Sequence, residues 1–203
     1  MLKEKFERLN DISLAVGRFF ARFPFPPNFY SWATLVPAAV GMMLIMHGWT
    51  IAGVVLFVIA GCMDMIDGGL ARATGKQSNL GAFIDGSLDR FVDLMLLFSY
   101  FFVPLKTVWF PVGQWICLMC FFMIMPSFEV AYANHRRAVP DPTEKVIWRI
   151  LHRSEMYPLM LVIPLVAIKS SVIAGYILVG LVILSAITTI QTILETIIYS
   201  KRY

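Results

Sequence analysis

The sequence predicts an all-α integral membrane protein with six transmembrane helices and an N-terminal amphipathic helix at the membrane surface. Three observations predict this class. Of the 203 residues, 59% are hydrophobic and 15% are charged, whereas about a quarter of the residues of a soluble domain are charged. The mean hydropathy is +0.74. The chain contains several apolar runs of about 20 residues each, which is the length that a helix needs to cross about 30 Å of hydrocarbon.

The first element is a candidate surface helix at residues 1–22. Its apolar residues recur at helical spacing with charges opposite, as is typical of a helix lying on a membrane rather than of a cleavable signal peptide. The sequence FPFPPN at residues 23–28 is expected to end this helix before the first span. We therefore predict a juxtamembrane helix and linker at residues 1–27 and a six-helix domain at residues 28–203.

Six apolar runs are the candidate spans. They are Phe29–Met46, Ile51–Asp67, Ala82–Val103, Val108–Tyr132, Met156–Ile168 and Val172–Tyr199. The fifth run is short for a full crossing. We therefore expect its helix to begin earlier, within His152–Tyr157, in the headgroup region.

The distribution of lysine and arginine predicts the orientation. These residues are concentrated before the first span, in the second-to-third and fourth-to-fifth connections, and at the C-terminus, whereas the other connections hold only Lys106 and Lys169. The positive-inside rule then puts both termini and the second-to-third connection in the cytoplasm of a multi-pass protein of the cell membrane. Because the basic residues are divided among membrane loops, the net charge of +4 indicates topology and headgroup attraction, and no nucleic-acid partner is expected.

Carboxylates occur where the second predicted span ends and the third begins. Asp64 and Asp67 are three residues apart, and Asp85 and Asp89 are four apart, so each pair lies on one face of a helix. Because a charge in the bilayer is costly, these pairs indicate a functional site. Facing pairs joined by a short connection would repel unless a cation neutralised them, and Mg²⁺ binds such carboxylates together with substrate phosphates. Asp93, one turn further, is a candidate partner of Arg90.

This segment resembles the signature of the CDP-alcohol phosphotransferases, D-x2-D-G-x2-A-R-x8-G-x3-D-x3-D. The eight matching residues, with no departure in spacing, are Asp64, Asp67, Gly68, Ala71, Arg72, Gly81, Asp85 and Asp89. The resemblance implies the transfer of the phosphoalcohol part of a CDP-linked lipid to the hydroxyl of a polar acceptor alcohol, with release of CMP. It also implies a homodimer.

The resemblance implies roles for individual residues. Asp64, Asp67, Asp85 and Asp89 are implied as ligands of Mg²⁺ or Mn²⁺, and Asp89 also as the general base. The stretch PNFYS at residues 27–31 is similar to the family's P-N-x-x-T. The residues implied in binding the CDP donor are Asn28, Ser31, Gly68, Ala71, Arg72, Ser78 and Gly81.

The acceptor is indicated only by a looser similarity. Residues 127–137 and 152–156 resemble the regions where members that use inositol phosphate carry basic residues, and Arg136 and Arg153 are the matching arginines. Asn134 and Met156 stand where those members commonly carry a lysine and an arginine. We therefore expect inositol phosphate or another phosphorylated polyol, with glycerol phosphate, serine or another alcohol as alternatives.

Two other classes share some of these features. Membrane prenyltransferases also use D-x-x-D pairs with Mg²⁺ and diphosphate, although they do not need the glycine and arginine positions found here. Cation-coupled transporters hold intramembrane carboxylates, usually near the midplane and within repeats, whereas these carboxylates are expected at one face of the membrane. Release of CMP would distinguish the first function from both alternatives.

Overall fold

The computed structural model describes residues 13–138 and 150–201. All regular structure in these ranges is helical, and the chain divides into two compact units, Met1–Ser99 and Tyr100–Tyr203. The first unit contains α1 (residues 13–20), α2 (Pro27–Ala33), α3 (Leu35–Met46), α4 (Thr50–Thr74) and α5 (Asn79–Ser99). The second contains a 3₁₀ turn (Tyr100–Phe102), α6 (Val112–His135), α7 (Arg153–Lys169) and α8 (Ser171–Ser200). The predicted domain boundary after residue 27 stays a prediction.

Four helical segments of the described residues are long and apolar enough to cross a membrane. They are Pro27–Met46, Thr50–Thr74, Val112–His135 and Ser171–Ser200. The first combines α2 and α3, which are interrupted at Thr34 because Pro37 has no N–H to donate to the Ala33 carbonyl. The third and fifth predicted spans correspond to α5, which carries several charged side chains, and to α7, which has 17 residues. Their crossing of the membrane stays a prediction.

The ends of two helices differ in detail from the predicted spans. Helix α4 runs beyond Asp67 to Thr74 and ends at Gly75, whose φ of 66° lies in the left-handed region that glycine adopts easily. The segment after Asp67 is therefore helical, and the connection to α5 contains only residues 75–78. Helix α7 begins at Arg153, earlier than its apolar run, as expected. Its first turn is closed by a capping box in which the His152 backbone N–H donates to the Glu155 carboxylate over 3.2 Å.

Part of the predicted N-terminal helix lies outside the described residues, which begin at residue 13. Helix α1 covers residues 13–20 and packs against α4. A methyl group at Gly17 would overlap the Gly69 carbonyl oxygen, and one at Gly69 would overlap the Ser13 carbonyl oxygen. The backbones of α1 and α4 therefore approach as closely as only glycine allows.

The first unit is built around α4 and α5. Helix α3 packs on both of them, and α2 lies against the same two helices. The contact between α3 and α4 depends on a second glycine pair, because a methyl group at Gly53 would lie 2.6 Å from the Gly41 carbonyl oxygen and 2.5 Å from the Ile45 side chain. Buried Ala38, Ile45 and Phe57 fill the space around this contact.

In the second unit, α8 packs on both α6 and α7. Pro164 on α7 has no N–H, so the carbonyl of Met160, four residues earlier, lacks its helical partner. The buried Tyr100 hydroxyl donates to that carbonyl over 2.6 Å. The segment before α6 is held in a similar way, because the Lys106 N–H donates to the Ser171 carbonyl over 3.0 Å. This unit thus satisfies backbone groups that its prolines and turns leave open.

The glycine contact between α3 and α4 generates a prediction on stability. Gly53→Ala should lower the free energy of unfolding by about 1–3 kcal/mol, because its methyl group forces backbones and side chains apart. Thermal unfolding in detergent, followed by intrinsic fluorescence, measures the change. Gly180→Ala on α8 is the matched control, since nothing lies within 4 Å of a methyl group there. Equal melting temperatures for the two variants would contradict the importance of the contact.

Candidate functional site

Three aspartates meet where the end of α4 lies beside the beginning of α5. Each of Asp64, Asp67 and Asp85 offers one carboxylate oxygen, and these three oxygens lie within 4.8 Å of one another. Asp64 and Asp67 project together because they are three residues apart on α4. The structure thus brings together one carboxylate pair and one member of the other. Asp89, the fourth predicted ligand, lies one turn after Asp85 on α5, outside this group but close enough for its charge to act on Asp67.

Asp67 is the most enclosed member of the group. Its side chain is only 4% exposed, and it lies close to the Ser31 side chain and the Gly68 backbone. Its Oδ2 atom is buried without a hydrogen-bond partner among the described residues. A buried carboxylate oxygen in this state is costly unless a cation or another donor reaches it.

The residues present fit a divalent cation. Three carboxylate oxygens at this spacing match the hard oxygen ligands that Mg²⁺ and Mn²⁺ take, and Asp67 also carries a buried oxygen that lacks a hydrogen-bond partner among the described residues. Asp64, Asp67 and Asp85 are the residues that would hold the ion.

An open cavity of about 370 Å³ lies beside the carboxylates and is lined by α2, α4, the connection after α4, and α5. Asp67 and Asp85 line it. All seven residues that sequence resemblance implied in donor binding also line it, namely Asn28, Ser31, Gly68, Ala71, Arg72, Ser78 and Gly81. The cavity therefore combines carboxylates, one guanidinium and several small or hydroxyl side chains, which suits a metal-bound diphosphate group.

Glycine and serine shape one wall of this cavity. The Ser78 hydroxyl accepts a hydrogen bond from the Gly81 N–H over 2.9 Å and so caps the first turn of α5. A methyl group at Gly81 would lie 3.0 Å from the Ser78 hydroxyl and 3.3 Å from the Asn28 amide oxygen. The missing side chain at Gly81 thus lets α2 and the start of α5 approach each other around the cavity.

Sequence reasoning missed three polar residues of the cavity. Lys76, Gln77 and Asn79 line it, although the sequence analysis assigned Lys76 only to membrane orientation. Their position in the sequence, between the two carboxylate pairs, could have indicated this. A short connection between two helices that both carry site residues lies close to the site. Lys76 adds a second cation to the wall that carries Arg72.

Asp93, the candidate partner of Arg90, lies two turns after Asp85 and does not belong to the group of three carboxylates. Asp93, also on α5, is 4% exposed and forms an ion pair with Arg90 over 3.3 Å. This pairing confirms the sequence expectation for Asp93. A buried carboxylate with a charged partner on its own helix has a structural explanation.

The two arginines suggested for acceptor binding belong to the second unit. Arg136 follows the end of α6, where its Nε atom donates to the Tyr132 hydroxyl over 3.0 Å. Arg153 begins α7, with its guanidinium 5.6 Å from the centre of the Tyr157 ring. Both contacts restrict the guanidinium groups through neighbouring tyrosines.

Known proteins resemble this chain in sequence and in fold. An archaetidylinositol phosphate synthase from Pyrococcus horikoshii is 33% identical over 145 residues, covering 71% of this chain and 69% of the relative. Another from Aeropyrum pernix is 37% identical over 82 residues, so the match spans only 42% of that relative's length. The crystal structure of Mycobacterium tuberculosis phosphatidylinositol phosphate synthase with CDP-DAG bound has a TM-score of 0.73 at 18% identity, covering 92% of this chain and 94% of that one.

The family comparison covers the cavity and most of both units. The model of the CDP-alcohol phosphatidyltransferase family matches residues 26–197, a range that contains α2 to α7 and most of α8. The sequence resemblance and the arrangement of the aspartates agree with this match. The chain therefore belongs to the CDP-alcohol phosphatidyltransferase family, a family of transferases.

Proposed function

We propose that this protein is a membrane-embedded, Mg²⁺- or Mn²⁺-dependent transferase of phospholipid biosynthesis. It moves a phosphatidyl-type group from a CDP-linked lipid to the hydroxyl of inositol phosphate or another phosphorylated polyol, and CMP leaves. The main supporting observation is that the cavity lined by Asp67 and Asp85 is also lined by all seven residues implied in binding the CDP donor. The archaetidylinositol phosphate synthases and the phosphatidylinositol phosphate synthase among its relatives support the acceptor.

The donor's diphosphate would lie in the cavity between the carboxylates and Arg72. The guanidinium of Arg72 can donate two hydrogen bonds to one phosphate. Gly68 leaves room for the diphosphate beside the backbone of α4. The Ser31, Ser78 and Asn28 side chains add hydrogen-bonding groups along the same wall.

The transfer step needs a nucleophile and a leaving group on opposite sides of one phosphorus. The acceptor's hydroxyl oxygen attacks the phosphorus that carries the lipid alcohol, the new P–O bond forms, and the bond from that phosphorus to the bridging oxygen breaks. CMP leaves with that oxygen, and the Asp89 carboxylate takes the proton of the hydroxyl. A divalent cation, when bound, neutralises the diphosphate charge and stabilises the leaving phosphate. Asp64, Asp67 and Asp85 hold that ion, and Asp89 completes the proposed ligand set.

The proposed membrane arrangement follows from the family and from the charge distribution. Helices α5 and α7 complete six crossings with the four long apolar segments, and α1 lies on the membrane surface. Both termini and the cavity face the cytoplasm. A lipid donor can then enter from the bilayer while a polar acceptor arrives from water. Two copies of the chain form a homodimer.

The test of this function is CMP release by the purified protein in lipid nanodiscs. The reactions contain a CDP-linked lipid and Mg²⁺ with, in turn, inositol phosphate, glycerol phosphate, serine and inositol. We expect release with inositol phosphate, and loss of release in chelator that added Mg²⁺ or Mn²⁺ restores. Release with another acceptor alone would keep the reaction class and correct the acceptor. No release with any acceptor would contradict the proposed donor and point first to another donor, such as a CDP-linked headgroup.

Substitution of single carboxylates should distinguish the residues that bind the metal ion from the residue that accepts the proton. Asp67→Asn removes one of three clustered ligands and should weaken Mn²⁺ binding, measured by electron paramagnetic resonance, by at least about tenfold. Asp89→Asn leaves the group of three intact, so most Mn²⁺ affinity should remain, while kcat falls about 10²- to 10⁴-fold because the general base is lost.

Asp93→Asn is the matched control for these two variants, because Asp93 lies on the same helix in an ion pair with Arg90. Any effect of Asp93→Asn should appear in thermal stability and not in Mn²⁺ affinity. Turnover of Asp89→Asn near that of the unchanged protein would refute the role of Asp89 as the base.

Substitution of either arginine suggested for acceptor binding should change the KM for the acceptor and not the KM for the donor. If Arg136 and Arg153 hold the acceptor's phosphate, Arg153→Ala should raise the KM for inositol phosphate at least about tenfold, as expected for a lost charge-assisted hydrogen bond, and leave the KM for the CDP-linked lipid almost unchanged. Arg136→Ala should behave in the same way. Arg137→Ala removes the same charge beside Arg136 and serves as the control. Equal rises in both KM values would show that the arginines do not recognise the acceptor.

A further inference from the structure

The guanidinium of Arg72 is held by a residue from the other end of the first unit. Its Nη2 atom donates to the Ser13 hydroxyl over 2.6 Å. The Ser13 hydroxyl in turn lies 3.4 Å from the Met65 carbonyl oxygen, to which it donates. Arg72, Ser13 and the backbone of α4 thus form a short chain of hydrogen bonds that runs from α1 to the cavity wall.

Ser13 is fixed in place by the glycine contact between α1 and α4. It is 5% exposed, and its carbonyl oxygen lies against Gly69, where any side chain on Gly69 would overlap it. Gly17, one turn further along α1, lies against the Gly69 carbonyl oxygen in the same way. Two glycines therefore set how closely α1 lies on α4, and that distance sets the position of the Ser13 hydroxyl.

Arg72 needs such support, because it lies in the last turn of α4 and its side chain is exposed. A free arginine side chain samples many rotamers, and ordering it on binding costs entropy. Gly68, one turn earlier, offers no side chain beside the guanidinium, since a methyl group there would lie 3.7 Å from the Arg72 Nη1 atom. The Arg72 guanidinium thus donates a hydrogen bond to Ser13 on one side. On the side that faces the cavity, Gly68 places no side chain against it.

We propose that Ser13 is a positioning residue for the donor site: through its hydrogen bond, α1 holds the Arg72 guanidinium ready for the diphosphate of the CDP-linked substrate. Ser13 does not line the cavity, so it acts through Arg72 and not on the substrate. This inference rests on the proposed function, because it takes the diphosphate as the ligand of Arg72. It adds a contribution from α1, which lies outside the matched family range of residues 26–197.

The test is the affinity of the full-length purified protein for CDP with Mn²⁺ present, measured by isothermal titration calorimetry. Ser13→Ala should raise the Kd for CDP about tenfold, because a hydrogen bond to a charged group is lost. Mn²⁺ affinity and the melting temperature should stay near those of the unchanged protein, which a merely structural role of Ser13 would not predict. Ser13→Cys keeps the volume with a weaker hydrogen-bonding group and should give a similar rise.

A double-mutant cycle identifies the route of the effect. Arg72→Ala alone should raise the Kd for CDP, and adding Ser13→Ala to it should produce no further rise, since Ser13 acts through Arg72. Ser99→Ala is the matched control, because Ser99 is a buried serine of the same unit whose hydroxyl donates to the Leu96 carbonyl over 2.6 Å. It should leave the Kd unchanged.

The outcomes separate this inference from the proposed function. If the unchanged protein binds CDP and Ser13→Ala binds it equally well, the positioning role is overturned and the function stands. A further rise when Ser13→Ala is added to Arg72→Ala would also overturn it, because Ser13 would then act independently. If the unchanged protein binds no CDP, the proposed function fails and the inference fails with it.

Discussion

Repulsion among Asp64, Asp67 and Asp85 is the constraint on which the first unit depends. Three carboxylate oxygens within 4.8 Å of one another separate unless positive charge lies between them or the backbone holds them in place. Here the backbone does so, because α2 and α3 pack on α4 and α5 and leave these two helices little freedom to move apart. The burial of Asp67, which strengthens this repulsion, also strengthens its attraction to a cation. The helix packing that holds the three carboxylates together is therefore also what makes them able to bind a cation.

Glycine serves two purposes around this arrangement. Gly17, Gly41, Gly53 and Gly69 let helices touch at their backbones, and a side chain at any of them would overlap a neighbour. Gly68 instead lines the cavity, where only the Arg72 guanidinium lies within 4 Å of an added methyl group. The two groups alternate along α4, where Gly68 faces the cavity and Gly69 faces α1. The helix is thus a wall of the cavity on one side and a packing surface on the other.

The features that the sequence predicted depend on local periodicity. The spacing within the pairs Asp64–Asp67 and Asp85–Asp89 predicts their helix faces, and the signature around them, together with the PNFYS stretch and Ser78, led to seven residues that line the cavity. Features that join distant parts of the chain carried no such signal. Ser13 and Arg72 are 59 residues apart, and Tyr100 and Met160 are 60 apart. The continuation of α4 to Thr74 was also missed, because tertiary contacts outweigh the weak helix preference of its glycines.

The separation between Ser13 and Arg72 has a consequence for biosynthesis. At about 5–20 residues per second, the ribosome needs roughly 3–12 s after making Ser13 to reach Arg72. During that interval α1 has emerged, but the surface of α4 on which it packs does not yet exist. Its apolar side chains must then rest on the bilayer or another temporary partner. The arginine that faces the cavity therefore acquires its support only after Gly69 has been made and α1 has packed against it.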